Sequence, residues 1–76
     1  MRHNMKAERA RFGLTLADVA KAVGVHVNAV RRWEAGESEP LGSNLVRLSE
    51  LYKCSPEYLL DQTDVRDKSV VSPSLS

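Results

Sequence analysis

The chain has 76 residues, of which 42% are hydrophobic and 28% are charged, and its formal net charge is +1 at pH 7. This composition is typical of a soluble globular protein and excludes a disordered chain, and the length suits one domain. The longest apolar runs are too short to cross a bilayer, and the amino-terminal segment lacks the apolar core of a secretory leader. We therefore expect a cytoplasmic protein that makes no membrane contact.

Basic residues are concentrated in the first part of the chain. Residues 1–32 hold seven Lys and Arg against two acidic residues, whereas residues 33–76 hold four against eight. The two parts thus carry net charges of +5 and −4. Concentrated positive charge steers polyanions toward one face of a protein, although an uneven distribution also arises by chance in a short chain.

The first two predicted helices follow from apolar spacing and from residues that favour helix ends. Asn4 is the predicted N-cap of the first helix, and Gly13 ends it. Its predicted inward stripe is Met5, Arg9 and Phe12. Thr15 and Asp18 form a capping box for the second helix, which ends at Gly24 in a left-handed turn. The apolar face of this helix has the spacing i, i+3, i+4, i+7 and comprises Leu16, Val19, Ala20 and Val23.

A third helix is predicted over residues 27–35, and it ends at Gly36. At 100° per residue, Val30 and Trp33 lie on one side of this helix. The opposite side carries amide and guanidinium groups from Asn28, Arg31 and Arg32. A small helix with these groups on its free face has the shape and chemistry that reads base edges in the major groove of DNA.

Two further helices and a tail complete the prediction. Residues 37–42 form a loop, Leu45, Leu48 and Tyr52 mark a fourth helix, and Ser55 with Pro56 opens a short fifth helix. The predicted fold class is therefore all-α, a compact bundle of five helices. Residues 1–62 form the domain, with a helix-turn-helix core at residues 16–35, and residues 63–76 form a flexible tail or the stub of a linker.

Residues spread over most of the chain resemble a known family. The residues that carry the resemblance are Leu14-Thr15, Ala20, Gly24-Val25, Val30, Trp33-Glu34, Gly36, Pro40, Asn44-Leu45 and Ser55-Pro56-Glu57-Tyr58-Leu59-Leu60. They resemble the Cro/C1 (XRE) type helix-turn-helix family, close to the DNA-binding domain of the lambdoid phage repressors. The resemblance implies a lambda-repressor-like domain that regulates transcription, as a repressor, by binding a pseudo-palindromic operator. It also implies a homodimer that forms through the C-terminal helix region.

The same resemblance assigns base reading to Val27, Asn28, Arg31 and Arg32. Asn28 can make paired hydrogen bonds to adenine, and Arg31 or Arg32 can do so to guanine. Val27 either touches a thymine methyl or packs against the turn. Outside the helix-turn-helix frame, the same polar residues are simply a solvated helix face.

Candidate phosphate contacts lie on several segments and comprise Arg2, Lys6, Thr15, Ser38, Gly42, Ser43 and Asn44. Relatives commonly place a phosphate-binding glutamine at the start of the second helix, but this chain has Leu16 there. Phosphate anchoring at this place therefore comes from backbone N–H groups at the helix start or is missing. His26 stands where relatives often place a capping Ser or Thr, so a weaker or different cap is expected.

Two charged residues are predicted to pair in the interior. Arg9 belongs to an apolar stripe and Glu34 adjoins Trp33, so each charge would be expensive to bury alone. The alternative is two independent surface charges. The expected core or near-core aromatic and aliphatic side chains include Trp33, Phe12, Tyr52 and Leu59.

Other classes of function are poorly supported by the sequence. The candidate nucleophiles and metal ligands are limited to Cys54, His3 and His26, and their spacing is not that of a metal site. We therefore expect that the chain is not an enzyme and binds neither a metal nor a cofactor. A single cysteine also excludes an intramolecular disulfide. The alternative function is a protein-interaction module, such as an antitoxin or anti-repressor component with the same fold.

Overall fold

A computed structural model describes residues 3–66, which form five α-helices. The helices are α1 (His3–Arg11), α2 (Leu16–Val23), α3 (Val27–Ala35), α4 (Ser43–Tyr52) and α5 (Pro56–Leu59). The predicted all-α, five-helix class is therefore confirmed, and the described residues contain no strand. No helix within residues 3–66 has the length and apolarity needed to cross a membrane.

Most of the buried hydrophobic residues come from α2, α3 and α4. Every helix contributes to the core, and α2 packs mainly on α3 and then on α4. The buried hydrophobic residues are Met5, Val19, Ala20, Val23, Val30, Trp33, Leu48, Tyr52, Cys54 and Leu59. Because burial of one large apolar side chain stabilises a fold by about 1.5–3 kcal/mol, these residues supply most of the driving force for folding.

The ends of α2 are set by local hydrogen bonds, as predicted. The Thr15 hydroxyl accepts from the Asp18 N–H at 3.0 Å, and the Asp18 carboxylate accepts from the Thr15 N–H at 2.9 Å. Hydrogen bonding of the Asp18 carboxylate by the Thr15 backbone N–H, and by the Thr15 side chain, holds the pKa of Asp18 below its ordinary value. Gly24 ends the helix with a φ of 86°, a left-handed conformation that other residues adopt with strain.

The predicted N-cap of α1 is wrong. Asn4 lies inside the helix, which begins at His3, and its side-chain amide donates to the Tyr58 carbonyl oxygen at 2.7 Å. The carboxylate of Asp61 accepts instead from the backbone N–H groups of His3 and Asn4, both at 3.1 Å. A negative charge at a helix start is favourable, so the segment after α5 caps the helix that opens the fold.

The inward face of α1 also differs from the predicted stripe. Met5 is buried, but Phe12 is 41% exposed and lies at the rim, where its ring centroid is 6.0 Å from that of Tyr52. Glu8 is 1% exposed and takes an inward position. The reason is that α1 packs against α3 on one side and α5 on the other, so neighbouring positions on the helix are covered by different elements.

Arg66 neutralises the buried Glu8 carboxylate. Its Nε and Nη2 atoms donate to the two carboxylate oxygens at 2.9 and 2.8 Å, and Nη2 also donates to the Tyr52 carbonyl oxygen at 2.8 Å. The Arg66 carbonyl oxygen accepts from the Ser55 N–H at 2.9 Å. Residues 63–66, which the sequence assigns to a tail, therefore lie against the helices. Residues 67–76 of that tail lie outside the described residues, and the domain boundary stays a prediction.

The protonation of Glu8 reflects this environment. Burial by itself disfavours the charged form, but hydrogen bonding and charge from Arg66, the charge of Arg11 and a hydrogen bond from Tyr58 outweigh burial. The pKa of Glu8 is consequently lowered from 4.5. The ionised carboxylate is therefore the form that stabilises the fold.

Replacing Arg66 with Ala should destabilise the domain by about 3 kcal/mol, because it leaves a buried carboxylate without its main partner. This figure is at the low end for buried ion pairs, since the Arg66 side chain is 32% exposed. Arg11→Ala is the matched control, because Arg11 is 3.4 Å from the same carboxylate but 59% exposed, and its loss should cost at most about 1 kcal/mol. Urea unfolding measures both variants, and equal effects would contradict the role of Arg66.

The free energy of unfolding should also decrease as the pH falls below 4.5, the ordinary pKa that Glu8 has in an unfolded chain. In that range Glu8 binds a proton in the unfolded state at a higher pH than it does in the folded state. The stabilisation that ionised Glu8 gives the fold is lost once the folded Glu8 is protonated. Glu8→Gln cannot titrate and should flatten the decrease. Unfolding in urea between about pH 6 and pH 3 gives the two profiles. Parallel profiles would show that Glu8 is not the responsible group.

Candidate nucleic-acid interface

The second and third helices form a unit in which one face of α3 is left free. Val30 and Trp33 are 2% and 5% exposed and pack into the core. Asn28, Arg31 and Arg32 lie on the opposite face and are exposed. The structure therefore brings three of the four predicted base-reading residues together on the outer surface of one short helix.

The start of α3 is fixed by His26. This residue has extended backbone angles, and its Nδ1 atom accepts from the Asn28 N–H at 3.1 Å. The imidazole therefore supplies the N-cap of α3, a different cap from a hydroxyl, as the sequence predicts. Val27, the fourth predicted base reader, is half-buried against the core at the first position of the helix.

Asn28 and Arg31 are joined to each other on the exposed face. The Arg31 Nη1 atom donates to the Asn28 Oδ1 atom at 2.6 Å, across one turn of helix. The exposed Arg32 side chain has no hydrogen bond or ion pair among residues 3–66. The two arginines are thus held differently, although they are adjacent in sequence.

Arg9 and Glu34 tie α3 to α1. The structure places them in a two-point ion pair, with Arg9 Nε and Nη2 donating to the Glu34 carboxylate oxygens at 2.7 and 3.1 Å. Arg9 Nη1 also donates to the Leu14 carbonyl oxygen at 3.1 Å. The hydrogen bond with Glu34 raises the pKa of Arg9. One guanidinium group therefore joins α1, the following turn and the back of α3.

The predicted phosphate contacts occupy two separate places. Lys6 and Arg31 both line an open groove of about 240 Å³, whose other lining residues are Arg9, Leu16, Glu34 and Ala35. Thr15 is exposed, but its hydroxyl already accepts the capping hydrogen bond. Gly42, Ser43 and Asn44 lie at the start of α4, and Ser38 lies in the loop that precedes it. Arg2 lies outside the described residues.

The sequence analysis did not single out Arg47, a cationic residue close to the turn between α2 and α3. Arg47 is exposed on α4, and its Nη1 atom donates to the Val23 carbonyl oxygen, the last of α2, at 3.0 Å. The same atom lies 3.8 Å from the place where a Cβ on Gly24 would stand. Arg47 thereby joins α4 to the helix-turn-helix unit. Only its spacing of one helical turn from Ser43 could have drawn attention to it.

Among residues 3–66, no cluster of three or more His, Cys, Asp or Glu side chains could hold a metal ion. The polar surface of α3 consists instead of amide and guanidinium groups on a helix whose opposite face is packed into the core. A pair of helices joined by a tight turn, with the second helix free on its polar side, defines a helix-turn-helix domain.

Comparison with known proteins identifies the family. A model described as "Helix-turn-helix" matches residues 5–59, and the chain belongs to this family, of the Cro/C1 (XRE) type. The chain is 42% identical over 60 residues to the repressor protein C2 of Salmonella phage P22, a match that spans 79% of this chain and 28% of the repressor. It is 44% identical over 56 residues to the HTH-type transcriptional regulator DicA of Escherichia coli K12, which spans 74% of this chain and 42% of DicA. The chain thus covers less than half the length of either curated relative.

Two solved structures agree with this assignment. The crystal structure of the P22 c2 repressor in complex with a synthetic operator has a TM-score of 0.72 and 41% identity, and the match covers 78% of this chain and 89% of that one. The solution structure of the P22 c2 repressor DNA-binding domain has a TM-score of 0.69 and 39% identity, with 82% and 84% of the two chains covered. The fold predicted from the sequence is therefore also the fold of its relatives.

Glu34→Ala should destabilise the domain by about 3 kcal/mol, because Arg9 would be left without its carboxylate in a largely covered position. The side chains of Arg9 and Glu34 are 21% and 9% exposed. Glu37→Ala, an exposed change in the following loop, is the control and should alter stability by no more than about 0.5 kcal/mol. Thermal melting of both variants decides the matter, and an unchanged midpoint for Glu34→Ala would contradict a structural role for the pair.

Proposed function

We propose that this chain binds double-stranded DNA in a sequence-specific manner and represses transcription by occupying an operator. The exposed polar face of α3 carries this proposal, because Asn28, Arg31 and Arg32 stand opposite a buried apolar face. The relationship to the P22 c2 repressor, whose structure includes a synthetic operator, supports it. The proposal assigns no catalytic activity to the chain and places it in the cytoplasm.

In this proposal α3 enters the major groove and the other elements hold it there. Val27, Asn28, Arg31 and Arg32 face base edges, while Lys6 contacts the phosphate backbone beside Arg31. The start of α4 contacts a second stretch of backbone. The candidate groups at these two backbone positions are Arg2, Lys6, Thr15, Ser38, Gly42, Ser43 and Asn44.

We also propose that the chain works as a homodimer on a pseudo-palindromic operator. The C-terminal helix region offers an exposed apolar side chain for such a contact, since Val65, whose carbonyl oxygen accepts from the Ser55 hydroxyl, is 43% exposed. A dimer would place two copies of α3 about 34–36 Å apart, one turn of the double helix. Sedimentation with and without operator DNA tests this arrangement.

Binding should weaken as salt rises, with log affinity falling by about 0.9 per phosphate contact for each unit of log salt concentration. Lys6→Ala should reduce the magnitude of this slope by about 1, because it removes one backbone contact. Lys53→Gln is the matched control, since Lys53 lies at the end of α4 away from Ser43 and should leave the slope unchanged. Fluorescence anisotropy with a labelled duplex gives these slopes.

A chain that shows no affinity for any duplex, or an affinity that does not change with salt, would contradict the proposal. Capture of a specific protein in place of DNA would then favour the protein-interaction module. Equal slopes for wild type and Lys6→Ala would remove Lys6 from the interface without removing α3.

A further inference from the structure

The hydrogen bond between Asn28 and Arg31 changes what α3 can offer to a base pair. Arginine has five N–H donors and no acceptor, so the amide that faces it must present its oxygen. The 2.6 Å bond from Arg31 Nη1 therefore fixes Asn28 with Oδ1 toward the guanidinium and Nδ2 away from it. The orientation of the Asn28 amide follows from the chemistry of its neighbour.

Such an amide is poorly arranged to recognise adenine. Paired recognition of adenine requires Oδ1 to accept from the N6 amino group while Nδ2 donates to N7. A positive guanidinium already lies at that oxygen, and it repels the positive hydrogens of an incoming amino group. The guanidinium occupies one of the two lone pairs of this oxygen, and its charge disfavours the acceptor half of an adenine contact.

The same arrangement suits guanine. In the major groove guanine presents two acceptors, O6 and N7. Arg31 keeps four N–H groups after its bond to Asn28, including both on Nη2. The amide hydrogens of Asn28 add two more donors on the same face. Apart from the second lone pair of Asn28 Oδ1, the pair presents hydrogen-bond donors.

The position of the pair is set before DNA arrives. The backbone N–H of Asn28 is held by His26, and the side chain of Asn28 holds Arg31, so a chain of two hydrogen bonds leads from the helix cap to the guanidinium. Restricting a long arginine side chain in the free protein reduces the conformational entropy it loses on binding. Arg32, which has no such partner among residues 3–66, lacks this restriction.

Resting on the proposed function, we infer that Asn28 and Arg31 act as one unit that selects guanine. Arg31 is the base-contacting residue, and Asn28 is a positioning residue that holds the guanidinium for O6 and N7. This assignment replaces independent reading of adenine by Asn28.

Selection of bound sites from random duplex DNA tests the inference. Five proteins are compared: the wild type, Asn28→Ala, Asn28→Asp, Arg31→Ala and the variant that combines Asn28→Ala with Arg31→Ala. The wild type should enrich guanine at one position of each half-site. Arg31→Ala should lose about 5- to 150-fold of the preference for that guanine, the equivalent of 1–3 kcal/mol. Asn28→Ala should lose part of the same preference, and the double variant should lose no more than Arg31→Ala alone.

Asn28→Asp provides the sharpest contrast, because it keeps an oxygen for Arg31 and removes the amide donors. We expect it to retain guanine at that position, with weaker binding to every sequence because of its added negative charge. If Asn28 instead reads a base on its own, Asn28→Ala relaxes an adenine at a separate position and Asn28→Asp changes the preference there to cytosine. Either result overturns the inference.

Arg32→Ala is the matched control, since it removes a neighbouring guanidinium that is not bonded to Asn28. The loss of sequence preference caused by Arg32→Ala should add to the loss caused by Asn28→Ala. A wild-type protein that enriches no sequence contradicts the proposed function itself, an outcome distinct from a wrongly assigned base.

One measurement tests the pair without DNA. Nitrogen-15 relaxation of the Arg31 guanidinium should show slower motion in the wild type than in Asn28→Ala. Circular dichroism confirms that both proteins are folded. Equal guanidinium motion in the two proteins would overturn the inference, whatever sites are selected.

Discussion

The contact between Arg9 and Glu34 determines how α3 is held. The charge of Glu34 is tolerated in its buried position because Arg9 donates two hydrogen bonds to its carboxylate, with donor to acceptor distances of 2.7 and 3.1 Å. The third donation, to the Leu14 carbonyl oxygen, extends the contact into the turn before α2. The apolar side of α3 could pack at several angles by hydrophobic burial alone, which is not directional. The ion pair supplies direction, and the free face of α3 points outward as a result.

The two buried carboxylates also decide which positive charges are available at the surface. Glu34 neutralises Arg9 and Glu8 neutralises Arg66, so these two arginines contribute little to the field outside the molecule. The basic character of residues 1–32 is therefore expressed mainly by exposed side chains such as Lys6, Arg31 and Arg32. A net charge close to zero is consistent with a strongly positive face, because much of the acidic charge lies in the second part of the chain.

The features that sequence reasoning predicted well are those with local causes. The capping box of Thr15 and Asp18, the left-handed Gly24 and the apolar spacing of α2 each involve residues within one or two turns. The features it missed depend on distant partners. Asp61 caps a helix that starts 58 residues earlier, and the burial of Glu8 requires Arg66. Phe12 was misjudged for a related reason, since periodicity gives a helix face but not which neighbouring element covers each position on it.

The cap that Asp61 provides for α1 has a consequence for the order in which the helices fold during translation. A nine-residue helix such as α1 is too short to be stable alone. Its first turn gains a carboxylate only when Asp61 has been synthesised, and its buried Glu8 gains a counter-charge only with Arg66. Helix α1 therefore settles only after these later residues have been made, whereas the end signals of α2 and α3 are all nearby, so structure can begin in that pair during translation.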